Sequence, residues 1–287
     1  MKKVKQTIYL FLFFTLTLMA QNTGMDIQKD TVYSFDKEPI VYLKTGGKEP
    51  ALVFVHCWSC DKNYWTGELE YFRSNYKVIA IDLAGHGESG LGRVEWTIEN
   101  YGKDVTAVID KEKLDKVILI GHSMGGPVAL AAAQLLGNRV KALIAIDTFQ
   151  DIEEVLTPEQ IDGFYKMFEE DFTGTTKEFV KGLFAENADS NLVKRIAEEM
   201  SSAPPSIALA SFRSLFKYGE AANFDKINVP VRFINSDKFP TNTEAAKRHI
   251  KDFNMKIIKG VGHFPMLEKP DEFNSGLNET IEELLNR

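Results

Sequence analysis

Lys116-Val-Ile-Leu-Ile-Gly-His-Ser-Met-Gly-Gly-Pro127 joins a short apolar run to a glycine-rich turn and then to an alanine-rich segment that ends at Leu136. Residues 117–120 are all β-branched or leucine, which suits a strand covered on both faces. Pro127 falls where a helix would take its first turn, a place that tolerates a missing N–H. Gly-x-Ser-x-Gly between a strand and a helix is the setting of a nucleophile elbow. That turn is so tight that the residues two before and two after the serine must be tiny, and Gly121 and Gly125 meet the demand. It lifts the Ser123 hydroxyl above the sheet, while the unpaired N–H groups of the helix start favour negative charge at the same place. The plainer alternative is a turn that only packs strand on helix.

Working outward, similar apolar runs occupy 51–55, 77–81 and 142–146, with helical patterns near 63–74, 97–111 and up to 136 between them. Short apolar strands alternating with helices predict an α/β fold, a mostly parallel twisted sheet with helices on both faces. Two strands near 31–35 and 40–44 read as an opening hairpin. From 148 to 222 the pattern is helical only. Strand-like runs resume at 229–234 and 255–259, with helices near 243–252 and 272–286. The organisation expected is a core of residues 21–147 and 223–287 interrupted by a helical cap, or lid, at 148–222.

The chain has 287 residues, of which 44% are apolar, enough for a sizeable core. Lys2, Lys3 and Lys5 precede an apolar run that closes near Ala20, so residues 1–20 read as a signal peptide. The run is shorter than the roughly 20 apolar residues of a comfortable membrane span. The expectation is an exported protein, periplasmic or secreted and soluble once processed, or membrane-anchored if uncleaved. Loss of residues 1–20 removes three lysines and no acids, moving the formal charge from −7 to −10. Such a surface repels phosphate, which argues against a nucleic-acid partner. Oligomeric state is not legible. The only cysteines, Cys57 and Cys60, exclude a disulfide scaffold. They form Cys-Trp-Ser-Cys, which could close a local disulfide or remain as two inert buried thiols.

A serine hydroxyl is a weak nucleophile unless an imidazole takes its proton. Of His56, His86, His122, His249 and His263, the last lies on a loop just past a strand, at the carboxyl edge of the sheet where sites gather. His263 is therefore the candidate base, and the other four read as structural. The third member must be a carboxylate that orients the imidazole. Asp237 and Asp147 each follow a strand directly. Asp237 is preferred because its strand neighbours the one delivering His263, whereas Asp147 begins the helical stretch and could cap it. For the oxyanion of acyl transfer, the backbone N–H of Met124, and that of Trp58 two residues past another strand, are the candidate donors. No metal or organic cofactor is needed.

Together, His56-Cys57-Trp58, Asp82-Leu-Ala-Gly-His-Gly-Glu-Ser89, the Gly-His-Ser-Met-Gly-Gly elbow and Gly262-His-Phe-Pro-Met-Leu-Glu268 resemble the α/β-hydrolase superfamily, over essentially the whole chain after residue 20. The chain looks most like its esterase, lactonase and cofactor-free perhydrolase-type members, which carry a helical cap. Members with dehalogenase or epoxide-hydrolase activity have aspartate where this chain has Ser123. The resemblance implies hydrolysis of a carboxylic ester or similar small acyl substrate. An acyltransferase, perhydrolase or carbon–carbon bond hydrolase with the same triad is the alternative, and a non-catalytic binding protein of this fold is an alternative of another class. One departure is Cys57, where the family usually has glycine. The many aromatic residues between 149 and 218 could cover an acyl pocket or simply pack the cap, and the expectation is that only a minority face the substrate.

Overall fold

The computed structural model of the chain describes residues 26–286, so the expected export segment lies outside the described residues. Eight strands form one sheet: β1 (Gln28–Tyr33), β2 (Pro39–Lys44), β3 (Ala51–Val55), β4 (Val78–Ile81), β5 (Val117–His122), β6 (Val140–Ile146), β7 (Val231–Ser236) and β8 (Phe253–Ile258). Their order across the sheet is β1-β2-β4-β3-β5-β6-β7-β8. The first two are an antiparallel hairpin, β2 also runs antiparallel to β4, and every pairing from β4 to β8 is parallel. This is the α/β class expected. All side chains of β3, β4 and β5 are buried, which explains why those runs are continuously apolar instead of alternating.

The chain reverses its direction of travel at β3, which has β4 on one side and β5 on the other. Ligands gather in the crevice outside the strand carboxyl ends at such a point. Here it brings the loop after β3 beside the turn after β5.

Among the described residues three α-helices precede β6: α1 (Thr66–Phe72), α2 (Ile98–Lys111) and α3 (Gly125–Leu136). Five stand between β6 and β7, namely α4 (Pro158–Glu170), α5 (Phe172–Leu183), α6 (Ser190–Ser201), α7 (Pro205–Lys217) and α8 (Glu220–Phe224). The last three are α9 (Thr243–His249), α10 (Pro265–Glu268) and α11 (Pro270–Leu285). Side-chain caps set several starts: Thr97 accepts from Asn100 N–H at α2, Thr157 and Gln160 form a capping box at α4, and Asp171 and Asp189 cap α5 and α6. The helix expected from residue 63 opens instead as a 3-10 turn, Lys62–Trp65. There Lys62 is drawn inward, and both its backbone N–H (2.7 Å) and its ammonium (2.8 Å) bind the buried Asp82 carboxylate.

On α1, Glu68 is 1% exposed and its Oε1 has no hydrogen-bond partner. Burial raises its pKa from 4.5 to about 8. A carboxyl whose folded pKa is raised binds more protons in the folded state, so stability is lost as pH rises from about 4.5 towards 8. Glu68→Gln is therefore expected to raise the melting temperature at pH 7–8, by an effect of order 1–3 kcal/mol, and to leave it nearly unchanged at pH 4–5. Thermal unfolding of the two proteins at both pH values checks this.

Candidate active site

Ser123 sits at the end of β5 with φ 52°, in the left-handed region that a non-glycine residue rarely adopts. Packing enforces it. A Cβ on Gly121 would run into the Gly125 carbonyl, and one on Gly125 into the carbonyl of Val55 at the end of β3. Only hydrogen fits at either place, so the elbow can fold this tightly against β3. Ser123 N–H donates to the Ile146 carbonyl (3.0 Å) and Gly126 N–H to the Ser123 carbonyl (2.8 Å), which fixes the turn from both sides.

His263 reaches the same place from the loop after β8. Its carbonyl accepts from His122 Nε2 (2.6 Å) and its N–H donates to the Leu183 carbonyl at the end of α5 (2.8 Å). Glu268 holds the same loop by accepting from Gly262 N–H (2.9 Å), and it also accepts from Ala185 N–H just beyond α5 (3.2 Å). The imidazole Nδ1 lies 2.6 Å from Asp147 Oδ2, while Asp147 Oδ1 accepts from Ser236 N–H (2.7 Å). Burial alone would raise the Asp147 pKa, but the bond to His263, that residue's charge and the Ser236 N–H together hold it below the usual carboxylate value. An ionised Asp147 can only accept, so Nδ1 carries a proton, and in the neutral imidazole it is Nε2 that holds the lone pair. Ser123 and His263 line one cavity.

The expectation that Asp237 is the partner of His263 is corrected by this geometry. Asp237 is exposed and its Oδ1 accepts from Gly260 N–H (2.8 Å), which ties the loop after β7 to the turn after β8. The reason is the path of the histidine loop. It does not stay above the neighbouring strand β7 but crosses it, because His122 at the end of β5 pins the His263 carbonyl. The imidazole thus arrives over β6, whose first residue beyond the strand is Asp147, fully buried and itself at φ 41°. That strained backbone, like that of Ser123, marks a position held by its surroundings.

The loop after β3 is set by His56. Leu83 N–H donates to its Nε2 (3.1 Å), so Nδ1 is the protonated nitrogen and donates to the Cys57 carbonyl (2.7 Å). Across a trans peptide the Trp58 N–H points the opposite way from that carbonyl. Among the described residues, neither Trp58 N–H nor Met124 N–H has a hydrogen-bond acceptor. The Trp58 indole is buried: Nε1 donates to the Ala208 carbonyl (2.8 Å) and its ring packs 4.1 Å from Phe212.

Residues 50–270 match the model of the alpha/beta hydrolase fold family. The chain belongs to the alpha/beta hydrolase fold family. Among its relatives it is similar to 3-oxoadipate enol-lactonase 2 of Acinetobacter baylyi, 24% identical over 81% of this chain and 88% of the relative. It is also similar to karrikin insensitive 2 receptor IA of Petunia hybrida, 23% identical over 82% and 91% of the two chains. Among solved structures, an esterase from Exiguobacterium antarcticum superposes with a TM-score of 0.78 at 20% identity, covering 88% of this chain and 98% of that one, which is a likeness of fold.

In this alpha/beta hydrolase the cavity measures about 410 Å³. Besides Ser123, His263, Cys57 and Trp58, its walls come from Gln150 beyond β6, from Phe179, Leu183, Met200, Phe212 and Leu215 of the helices between β6 and β7, and from Phe239 and Pro240 beyond β7. Such volume and lining suit a small apolar ligand, for which about 300–1,000 Å³ is usual. Of the aromatic residues expected as candidates between 149 and 218, only Phe179 and Phe212 line it. Phe149 instead packs in the core on Phe224 (4.8 Å) and Phe233 (5.6 Å), and Phe184 stacks on Phe264 (4.9 Å). Sequence reasoning missed Met200, Leu183 and Leu215, which read as ordinary helix-core positions. The pair Phe239-Pro240, apolar and just past a strand end at the carboxyl edge, was the available signal.

The remaining histidines have other duties. Burial pushes His122 and His86 down to about 3 and His56 to about 4, so all three are neutral hydrogen-bonding groups. His249 lies at the surface between Asp225 (3.0 Å) and Glu153 (3.1 Å). Among the described residues no group of three His, Cys, Asp or Glu is arranged to hold a metal ion. Cys57 and Cys60, expected as inert thiols with a disulfide left open, are joined as a disulfide and buried.

Proposed function

We propose that this alpha/beta hydrolase cleaves a carboxylic ester or similar small acyl substrate, with Ser123 as nucleophile, His263 as base and Asp147 as the acid that orients it. The observation that carries the reading is the mostly apolar cavity shared by Ser123 and His263, with Asp147 behind the imidazole. In this mechanism His263 Nε2 takes the Ser123 proton as Oγ attacks the carbonyl, and Asp147 stabilises the imidazolium. The N–H groups of Met124 and Trp58 bind the oxyanion, at the start of α3 where its dipole adds to the effect. His263 then protonates the leaving alcohol, and water releases the acid by the reverse steps. The lactonase relative supports ester-type chemistry.

A series of p-nitrophenyl esters from acetate to laurate tests the reading. Each methylene that remains inside the apolar cavity adds up to about 0.8 kcal/mol, about fourfold in kcat/KM, until the chain outgrows it. Met200→Ala is expected to move that optimum to longer acyl chains. Absence of turnover on every ester contradicts the hydrolase reading.

The likeness to a receptor favours a second reading, in which the cavity holds a ligand without turning it over. Saturable binding that raises the melting temperature of a protein with no serine-dependent turnover distinguishes it.

A further inference from the structure

The loop from Cys57 to Cys60 is a β-turn: Cys60 N–H donates to the Cys57 carbonyl (3.3 Å) and the two Cα atoms are 5.4 Å apart. Its second residue is Trp58, and its third, Ser59, has φ 55°. Serine is poorly suited to that left-handed conformation, and the Ser59 hydroxyl is buried with no hydrogen-bond partner. The turn therefore holds an unfavourable residue in place, and the disulfide is the covalent bond that closes it. The direction of the Trp58 N–H depends on this turn, since the Cys57 carbonyl on the same peptide takes both the Cys60 N–H and His56 Nδ1.

Both half-cystines border space open to small molecules. Cys57 lines the cavity that contains Ser123. Cys60 lines a separate cavity of about 300 Å³, together with Asp61, Tyr64, His86, Glu199 and Pro204.

We propose that the Cys57–Cys60 disulfide positions the Trp58 oxyanion donor and acts as a redox control on the site, which turns over at full rate only in the oxidised state. This rests on the hydrolase reading above. Reduction by a dithiol proceeds by thiol–disulfide exchange. A thiolate of the reductant attacks one half-cystine sulfur, the Cys57–Cys60 S–S bond breaks and a mixed disulfide forms. The second thiolate of the reductant then displaces the remaining cysteine sulfur. The two cysteines end as thiols carrying two electrons and two protons gained, and the reductant leaves as its cyclic disulfide. Without the S–S bond, Ser59 is free to leave the left-handed region, and the Trp58 N–H loses the covalent closure of its turn and keeps only the His56 contact to fix its direction.

The test compares the protein as purified with protein treated with dithiothreitol and freed of it without air. Thiols are counted in denaturant, and kcat and KM are measured on one p-nitrophenyl ester. Loss of an oxyanion donor costs about 10²–10³ in kcat, and a misdirected donor somewhat less. The expectation is no free thiol before treatment and two after. With reduction, kcat falls about 10–100-fold, KM stays within about twofold, and reoxidation restores kcat. Cys60→Ser is expected to show the low kcat and to be insensitive to dithiothreitol. Two free thiols in fully active protein, or the same kcat in both redox states, overturns the inference while leaving the hydrolase reading intact. No turnover in either state, with no Ser123 adduct of a fluorophosphonate, overturns the hydrolase reading and this inference with it.

Discussion

Ser123→Ala is expected to reduce kcat on a p-nitrophenyl ester by about 10⁶-fold, the loss typical when a triad nucleophile is removed. Substrate binding should change little, because the cavity walls are contributed mainly by Trp58 and the helices between β6 and β7 and remain in place. Alanine also fits the elbow: its Cβ occupies the position of the serine Cβ, so φ 52° is no worse tolerated and the fold is retained. Near-native melting with abolished turnover is the outcome to look for. Equal turnover in the two proteins would move the chemistry away from the elbow.

Asp147→Asn carries the next largest effect. The amide keeps the volume of a fully buried side chain, but it is uncharged and can present N–H to His263 Nδ1, which favours the tautomer with the proton on Nε2. Nε2 then cannot accept from Ser123, and kcat is expected to fall about 10³–10⁴-fold. Asp237→Asn is the matched control. That side chain is exposed, and its role of accepting from Gly260 N–H can be filled by an amide oxygen, so kcat should stay within about threefold of wild type. Steady-state kinetics of the two variants distinguish the carboxylates. A large loss in Asp237→Asn with little in Asp147→Asn would reverse the assignment.

The contrast between these aspartates shows where sequence reading reaches and where it stops. Buried strands such as β3 and β5 are legible because both faces must be apolar, and the elbow is legible because only glycine fits at 121 and 125. The location of His263 on a loop at the carboxyl edge is legible from strand order alone. Which carboxylate it meets is not, since that depends on a loop crossing β7 under the hold of His122, a contact 141 residues apart in sequence. Neighbouring strands were a reasonable guide to partnership, but loops need not stay above their own strand. The cavity walls are illegible for a related reason. Phe164, Phe168, Phe179 and Phe212 all pack as one aromatic cluster, and their spacing on helices says nothing of which rings turn towards Ser123. The bond between Cys57 and Cys60 depends on the tightness of one turn, which the two-residue spacing permits without requiring.

The central claim is that Ser123 is a nucleophile activated by His263. It is tested most directly by treating the protein with a fluorophosphonate and locating the adduct by mass spectrometry of its peptides. The account predicts one adduct, on Ser123, absent from Ser123→Ala and formed far more slowly in Asp147→Asn. No adduct on the wild-type protein, or an adduct on another residue that persists in Ser123→Ala, would contradict it.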